Sequence, residues 1–199
     1  LVLLQSKRPG VHLRLAMESR NLFDRLTREL PVPIEYRACG GMVVIETQEE
    51  LRAMEDATVV LHMARGGSIS LRLLPWQAPT NAFRLYRMAL SGTLDGLKFQ
   101  RWAPAFVIQG GSPGANEYAG HGAFTCDEVG LAHNWRGTVG LSTRGRDTGD
   151  GQIYVNLVDN VRLDHDYTVF GVVVAGMDVV DAVLEGDVIQ RAEVRPAGS

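Results

Sequence analysis

Lysine is almost missing from this chain: of the 20 basic residues among its 199, only Lys7 and Lys98 are lysines. With 23 acidic residues the net charge is −3. That balance excludes a broad electrostatic grip on nucleic acid. Long apolar runs are missing too. None approaches the roughly 18 residues that a membrane-spanning helix needs, so no membrane partner is expected. The apolar start, residues 1–4, is too short for a signal-peptide core, which favours a cytoplasmic location. Cysteine is scarce. Cys39 and Cys126 make neither a disulfide framework nor a zinc site, and both read as buried thiols. Dinucleotide-binding, phosphate-loop, zinc-protease and nucleophile-elbow motifs are absent. The five histidines, His12, His62, His121, His133 and His165, show no metal-ligand spacing and read as surface or locally bonded groups. Neither a metal nor a cofactor is expected. Asp164 and Asp166 fall in a turn, where aspartate bonds its own backbone.

What is present is globular in composition: 45% hydrophobic, 22% charged, with 22 glycines and 8 prolines. The length suits one or two domains. The texture changes near Asp56. Residues 1–56 read as a helix-strand-helix accessory segment, and residues 57–199 as a separate domain. In the first segment, Leu15, Leu22, Leu26 and Leu30 recur at helical spacing, which predicts a helix over 11–30 that buries this face. Pro31 and Pro33 end it. Residues 34–47 look extended, and Thr47 with Glu50 forms a capping box for a short helix over 48–55.

After Asp56 the pattern is mostly β. Apolar alternating runs cover 57–63 and 68–74, joined at Arg65-Gly66-Gly67 by a hairpin turn. Residues 81–90 form an amphipathic helix. Short strands follow at 106–109, 137–142, 153–157, 169–174 and 188–195, with a second short helix at 177–184. Many short strands with close turn signals predict a mainly β fold, a closed antiparallel barrel capped by two helices. A chain begun at Asp56 is expected to fold without the first segment.

One stretch is chemically suggestive: Phe99-Gln100-Arg101-Trp102-Ala103-Pro104-Ala105-Phe106-Val107-Ile108-Gln109-Gly110-Gly111. Alone, it reads equally well as a core strand entering a glycine turn. It resembles the signature of the cyclophilin-type peptidyl-prolyl cis-trans isomerases, F-H-R-x-x-P-x-F-x-x-Q-G-G. The resemblance continues in order. Ala78-Pro79-Thr80-Asn81-Ala82-Phe83 is similar to the entry of that family's first helix, and residues 91–99 to its S-G-x-Y-D-G-x-x-F approach. Residues 137–142, 149–155, 163–171 and 176–181 are similar to later family stretches. The first segment carries a weaker resemblance: residues 6–10 and 34–44 are similar to an internal stretch of FAD-dependent amino-acid and amine oxidases, without their flavin fingerprint, so no flavin activity is implied.

The cyclophilin resemblance implies an eight-stranded barrel that accelerates rotation about Xaa-Pro bonds in peptides and unfolded protein clients, with no cofactor. It implies Arg101 as the arginine that hydrogen-bonds the prolyl nitrogen, and Gln109 as the residue orienting it and bonding substrate backbone. Phe106, Val107, Tyr154 and Leu163 then build the proline pocket, with Ser142, Thr143, Gln152, Tyr167 and Gln100 beside it. The departures are specific. Gln100 replaces histidine, Ile153-Tyr154 replaces Phe-Phe, and Ser142-Thr143 replaces a small residue and asparagine. Tyr167 replaces a pocket histidine. Arg162 stands where animal members carry the tryptophan that contacts cyclosporin, so cyclosporin binding is expected to be weak. Burying the Tyr154 hydroxyl without a partner would cost about 1–3 kcal/mol. The alternative is a catalytically weak, proline-peptide-binding or structural module.

Overall fold

The computed structural model describes residues 48–122 and 124–196, together with four helical positions, Glu18, Leu22, Arg25 and Glu29. Those four share one helix face, where Arg25 faces Glu29 across one turn at 3.8 Å. Leu22 lies on this charged face and is 44% exposed, so it does not belong to the buried stripe expected of it. Leu15, Leu26 and Leu30 lie outside the described residues, as do the extended stretch 34–47 and Cys39.

The later elements run α1 (Gln48–Glu55), β1 (Thr58–Met63), β2 (Ser68–Leu73), α2 (Pro79–Leu90), β3 (Arg101–Ala103), β4 (Val107–Gly110), β5 (Thr138–Leu141), β6 (Ile153–Asn156), a 3₁₀ turn (Val161–Leu163), β7 (Val169–Ala175), α3 (Met177–Ala182) and β8 (Ile189–Arg195). The eight strands form one sheet in the order β3-β4-β6-β5-β7-β2-β1-β8, every pair antiparallel. The end strands β3 and β8 share no ladder. The sheet curls until the segments leading into them meet. Gly96 N donates to Ile189 O and Ile189 N to Leu97 O, both at 2.8 Å, and Phe99 N donates to Asp187 O at 2.9 Å. The expected barrel is thus closed by irregular backbone rather than by a strand pair.

Strand alternation sends Val59, Leu61, Ile69, Leu71, Ile108, Val139, Leu141, Ile153 and Val155 into one core with Phe99 and Phe170. The β1–β2 hairpin needs positive φ at Gly66 and Gly67, +99° and +80°, as tight right-twisting hairpins do. Helix α2 buries Ala82, Leu85, Met88 and Ala89. Pro79 opens it, but its N-cap residue Ala78 has no side chain that could cap it. The Glu128 carboxylate supplies the cap instead, accepting from the Thr80 and Asn81 backbone amides at 3.0 Å each and from Asn81 Nδ2 at 2.8 Å. A carboxylate at this end also complements the helix dipole. Nearby, Cys126 is disulfide-bonded, which corrects its reading as a buried thiol. It sits half-buried on the loop before Glu128 rather than in the core, where packing would have shielded it.

Helix α1 precedes the first strand, and its Met54 is 2% exposed. A chain begun at Gln48 is therefore expected to be more stable than one begun at Asp56. The difference should be about 1.5–3 kcal/mol, the value of fully burying a methionine side chain. Urea unfolding of the two chains measures it, and equal midpoints would show that Met54 contributes nothing.

Candidate active site

On the outer face of the barrel, the register lines up one lateral row. Arg101 of β3 stands opposite Gln109 of β4, Gln109 opposite Tyr154 of β6, and Tyr154 opposite Gly140 of β5. Their strand neighbours Ile108, Val155 and Val139 point into the core. The row itself is tied by side chains. Arg101 Nη1 donates to Gln109 Oε1 at 2.8 Å, and Gln109 Nε2 donates to Ser142 Oγ. Gln109 is fixed at both ends of its amide, and it in turn fixes Arg101. Arg101 as a residue is exposed.

Phe106 is delivered by the tight connection between β3 and β4. Ala105 takes a positive φ of +54° there, and Phe106 N donates to Ala103 O at 3.2 Å. The Phe106 carbonyl is clamped by Leu157 N and Asn160 Nδ2, each at 2.9 Å. Two guanidinium carbons lie over its ring, Arg101 Cζ at 5.8 Å and Arg162 Cζ at 4.3 Å from the centroid. Val107 follows Phe106 on the outer face, and Leu163 lies half-buried at the end of the 3₁₀ turn that carries Arg162.

Tyr154 is 4% exposed. Its ring has room because its cross-strand partner is glycine: a Cβ on Gly140 would stand 2.2 Å from Tyr154 Cζ. Beyond Gly140 the hydroxyl donates to Asn134 Oδ1 at 2.6 Å. The cost expected for an unpaired hydroxyl is not incurred. Burial, with Tyr167 and Asp164 near, pushes the phenol far above its ordinary pKa, so it stays a neutral donor. Tyr167 meets the Tyr154 ring edge-on, with centroids 6.2 Å apart.

Gln100 and Gln152 form a second small group, with Gln100 Nε2 donating to Gln152 Oε1 at 2.9 Å. Gln152 is buried and its amide nitrogen is occupied, donating to Asp150 Oδ1 at 3.2 Å and to the Glu117 and Ala119 carbonyls at 3.3 Å. Gln152 therefore anchors the 117–120 loop. Thr143 follows Ser142 at the edge of the row, half-buried. Ile153 belongs to the core and does not face the pocket.

Sequence reading missed Asn134. It is fully buried, accepts from Tyr154 and from Asn156 Nδ2 (3.2 Å), and its backbone amide donates to Asp164 Oδ1 at 2.7 Å. Asp164 was expected to bond its own turn. It reaches instead across 30 residues to Asn134, while its Oδ2 bonds His133 Nδ1 at 2.7 Å. Burial alone would raise its pKa, but the Asn134 amide and His133 outweigh that and hold the carboxyl below the usual range.

A sequence model of the cyclophilin type peptidyl-prolyl cis-trans isomerase/CLD family matches residues 58–197. The chain belongs to the cyclophilin-type isomerases. It is 35% identical to a peptidyl-prolyl cis-trans isomerase of Helicobacter pylori (strain ATCC 700392 / 26695) over 149 residues, covering 72% of this chain and 88% of that protein. It is 32% identical to peptidyl-prolyl cis-trans isomerase B of Bacillus subtilis over 131 residues, covering 65% and 92%. A crystal structure of a cyclophilin-type isomerase from Cryptosporidium parvum shares the fold, with TM-score 0.65 at 18% identity, covering 69% of this chain and 96% of that one. The same neighbour has also been solved in the presence of the dipeptide Ala-Pro. This cyclophilin's match begins at residue 58, and the resemblance of its first segment to FAD-dependent oxidases draws no support from these relatives.

Proposed function

We propose that this cyclophilin accelerates Xaa-Pro rotation through Arg101, held by Gln109 beside Phe106. The fixed Arg101–Gln109 pair carries this reading. The barrier to rotation, about 18–20 kcal/mol, comes from the partial double bond in C–N. In the twisted amide the nitrogen regains a lone pair. A guanidinium N–H aimed at that lone pair is satisfied only in the twisted state, which is differential binding of the transition state. Gln109 occupies one Arg101 donor and leaves the others for the substrate. Phe106, Val107, Tyr154, Leu163 and Tyr167 offer the proline ring an apolar seat with one internally bonded hydroxyl. Gln100 is turned toward Gln152, to which its Nε2 donates, and its Oε1 is buried without a partner among the described residues. The clients are proline-containing peptides and unfolded chains. The test is a proline-isomerisation assay on short Xaa-Pro peptides. Peptide binding without acceleration would replace this reading with that of a binding module.

Cyclosporin is expected to bind weakly, because the rim over Phe106 holds the Arg162 guanidinium where an indole stands in animal members. Arg162→Trp is expected to tighten binding about tenfold, equivalent to 1.4 kcal/mol for one aromatic anchor. Titration calorimetry on both proteins reads this. Equal affinities would show that the rim position does not set cyclosporin affinity.

A further inference from the structure

We infer that the substrates of this site are proline peptides carrying a carboxylate side chain next to the proline, selected by Arg162; this rests on the peptide groove proposed above. Arg162 is exposed on the 3₁₀ turn, with its Cζ over the Phe106 ring, 4.3 Å from the centroid. Among the described residues no hydrogen bond or ion pair engages its N–H donors, which leaves the planar fork that matches a carboxylate available. Arg101 flanks the same ring. Among the described residues neither arginine has a carboxylate within ion-pair distance, whereas Arg65, Arg136, Arg144, Arg191 and Arg195 all do. Asp164, two residues from Arg162, has both oxygens engaged, one by His133 and one by Asn134. Two cations without carboxylate partners thus border Phe106, one of the aromatic rings of the proposed proline seat. The protein as a whole carries −3 and repels acidic ligands at long range. A preference for an acidic peptide must therefore be local to this rim.

The experiment uses the full chain and two peptide series, with Glu, Gln or Lys placed immediately before or immediately after the proline. Isomerisation is followed by exchange NMR. In at least one series kcat/KM is expected to favour Glu over Lys by about three- to fivefold at low salt, the range of an exposed ion pair. High salt should erode the ratio. Arg162→Gln should bring it to about one, whereas Arg65→Gln, at the β1–β2 hairpin, should leave it in place. The ratio is the readout, not the absolute rate. A wild-type ratio near one in both series, a ratio that survives Arg162→Gln, or a variant that gains equally on every peptide would overturn the proposal. If no peptide is accelerated at all, the isomerase reading fails separately. The same Glu and Lys peptides, labelled for fluorescence anisotropy, then decide the selectivity by their affinity ratio.

Discussion

Replacing Arg101 by Ala is expected to lower kcat on an Xaa-Pro peptide by about 10²–10³ while changing peptide affinity far less. That factor is typical for the loss of one preorganised donor aimed at a transition state. The asymmetry follows from where the arginine sits. Its partner Gln109 is itself fixed by Ser142, so the donor is in place before substrate arrives and costs no reorganisation during rotation. The ground-state planar amide has no lone pair for it to meet. Two of the residues proposed for the pocket are held by other contacts: the Phe106 carbonyl by Leu157 and Asn160, and the Tyr154 hydroxyl by Asn134. They remain when Arg101 is gone, so the peptide still binds. Arg101→Lys should recover little, because an ammonium on a flexible stem lacks the planar fork that can bond Gln109 and the substrate together. Gln109→Leu should reproduce much of the kcat loss by releasing the guanidinium. Turnover and affinity must be measured together on all four proteins. Equal turnover in wild type, Arg101→Ala and Arg101→Lys would remove isomerisation through this site.

The parts of this site that were legible in sequence are those carried by one contiguous stretch. Arg101, Phe106 and Gln109 lie within nine residues, and a hairpin with two-residue alternation brings Arg101 opposite Gln109 by register alone. The strand that carries Arg101 was not foreseen. β3 is three residues long and mostly exposed, so it has no buried alternation of its own and exists by pairing with β4. The parts that were not legible depend on distant partners. Glu128 caps a helix that begins about 50 residues earlier. Asn160 clamps Phe106 across 54 positions, and Asn134 meets Tyr154 across 20. Asparagine and aspartate in loops carry a strong local prior for turns, and that prior hid Asp164 and Asn134 alike. The Tyr154 substitution looked costly because spacing shows which residue replaces a phenylalanine but not where its hydroxyl ends. The compensating glycine stands on another strand, and only the β5–β6 register places Gly140 beneath the ring.

Asn134→Ala is expected to destabilise the fold by about 1–3 kcal/mol, chiefly by leaving the Tyr154 hydroxyl buried and unbonded. The other partners of Asn134 keep alternatives. Asn156 Nδ2 still bonds Thr138 Oγ1 at 2.8 Å, and Asp164 still receives the residue-134 backbone amide and His133. At this chain length each kcal/mol should lower Tm by roughly 2–4 °C. Tyr154→Phe should cost less, because it removes the donor and leaves Asn134 Oδ1 accepting from Asn156. The double variant is the decisive one. If the Asn134→Ala loss is an orphaned hydroxyl, deleting that hydroxyl must recover part of it, and the double variant will be more stable than the sum of the two singles implies, by about 0.5–3 kcal/mol. Activity gives a second reading. Tyr154→Phe keeps the ring over Gly140 and should keep most of the peptide affinity. Asn134→Ala frees the ring to swing, so it should weaken peptide binding, with kcat less affected because the Arg101–Gln109 pair is untouched. Strict additivity in the thermal cycle would show that the hydroxyl finds another partner and that Asn134 acts through packing alone.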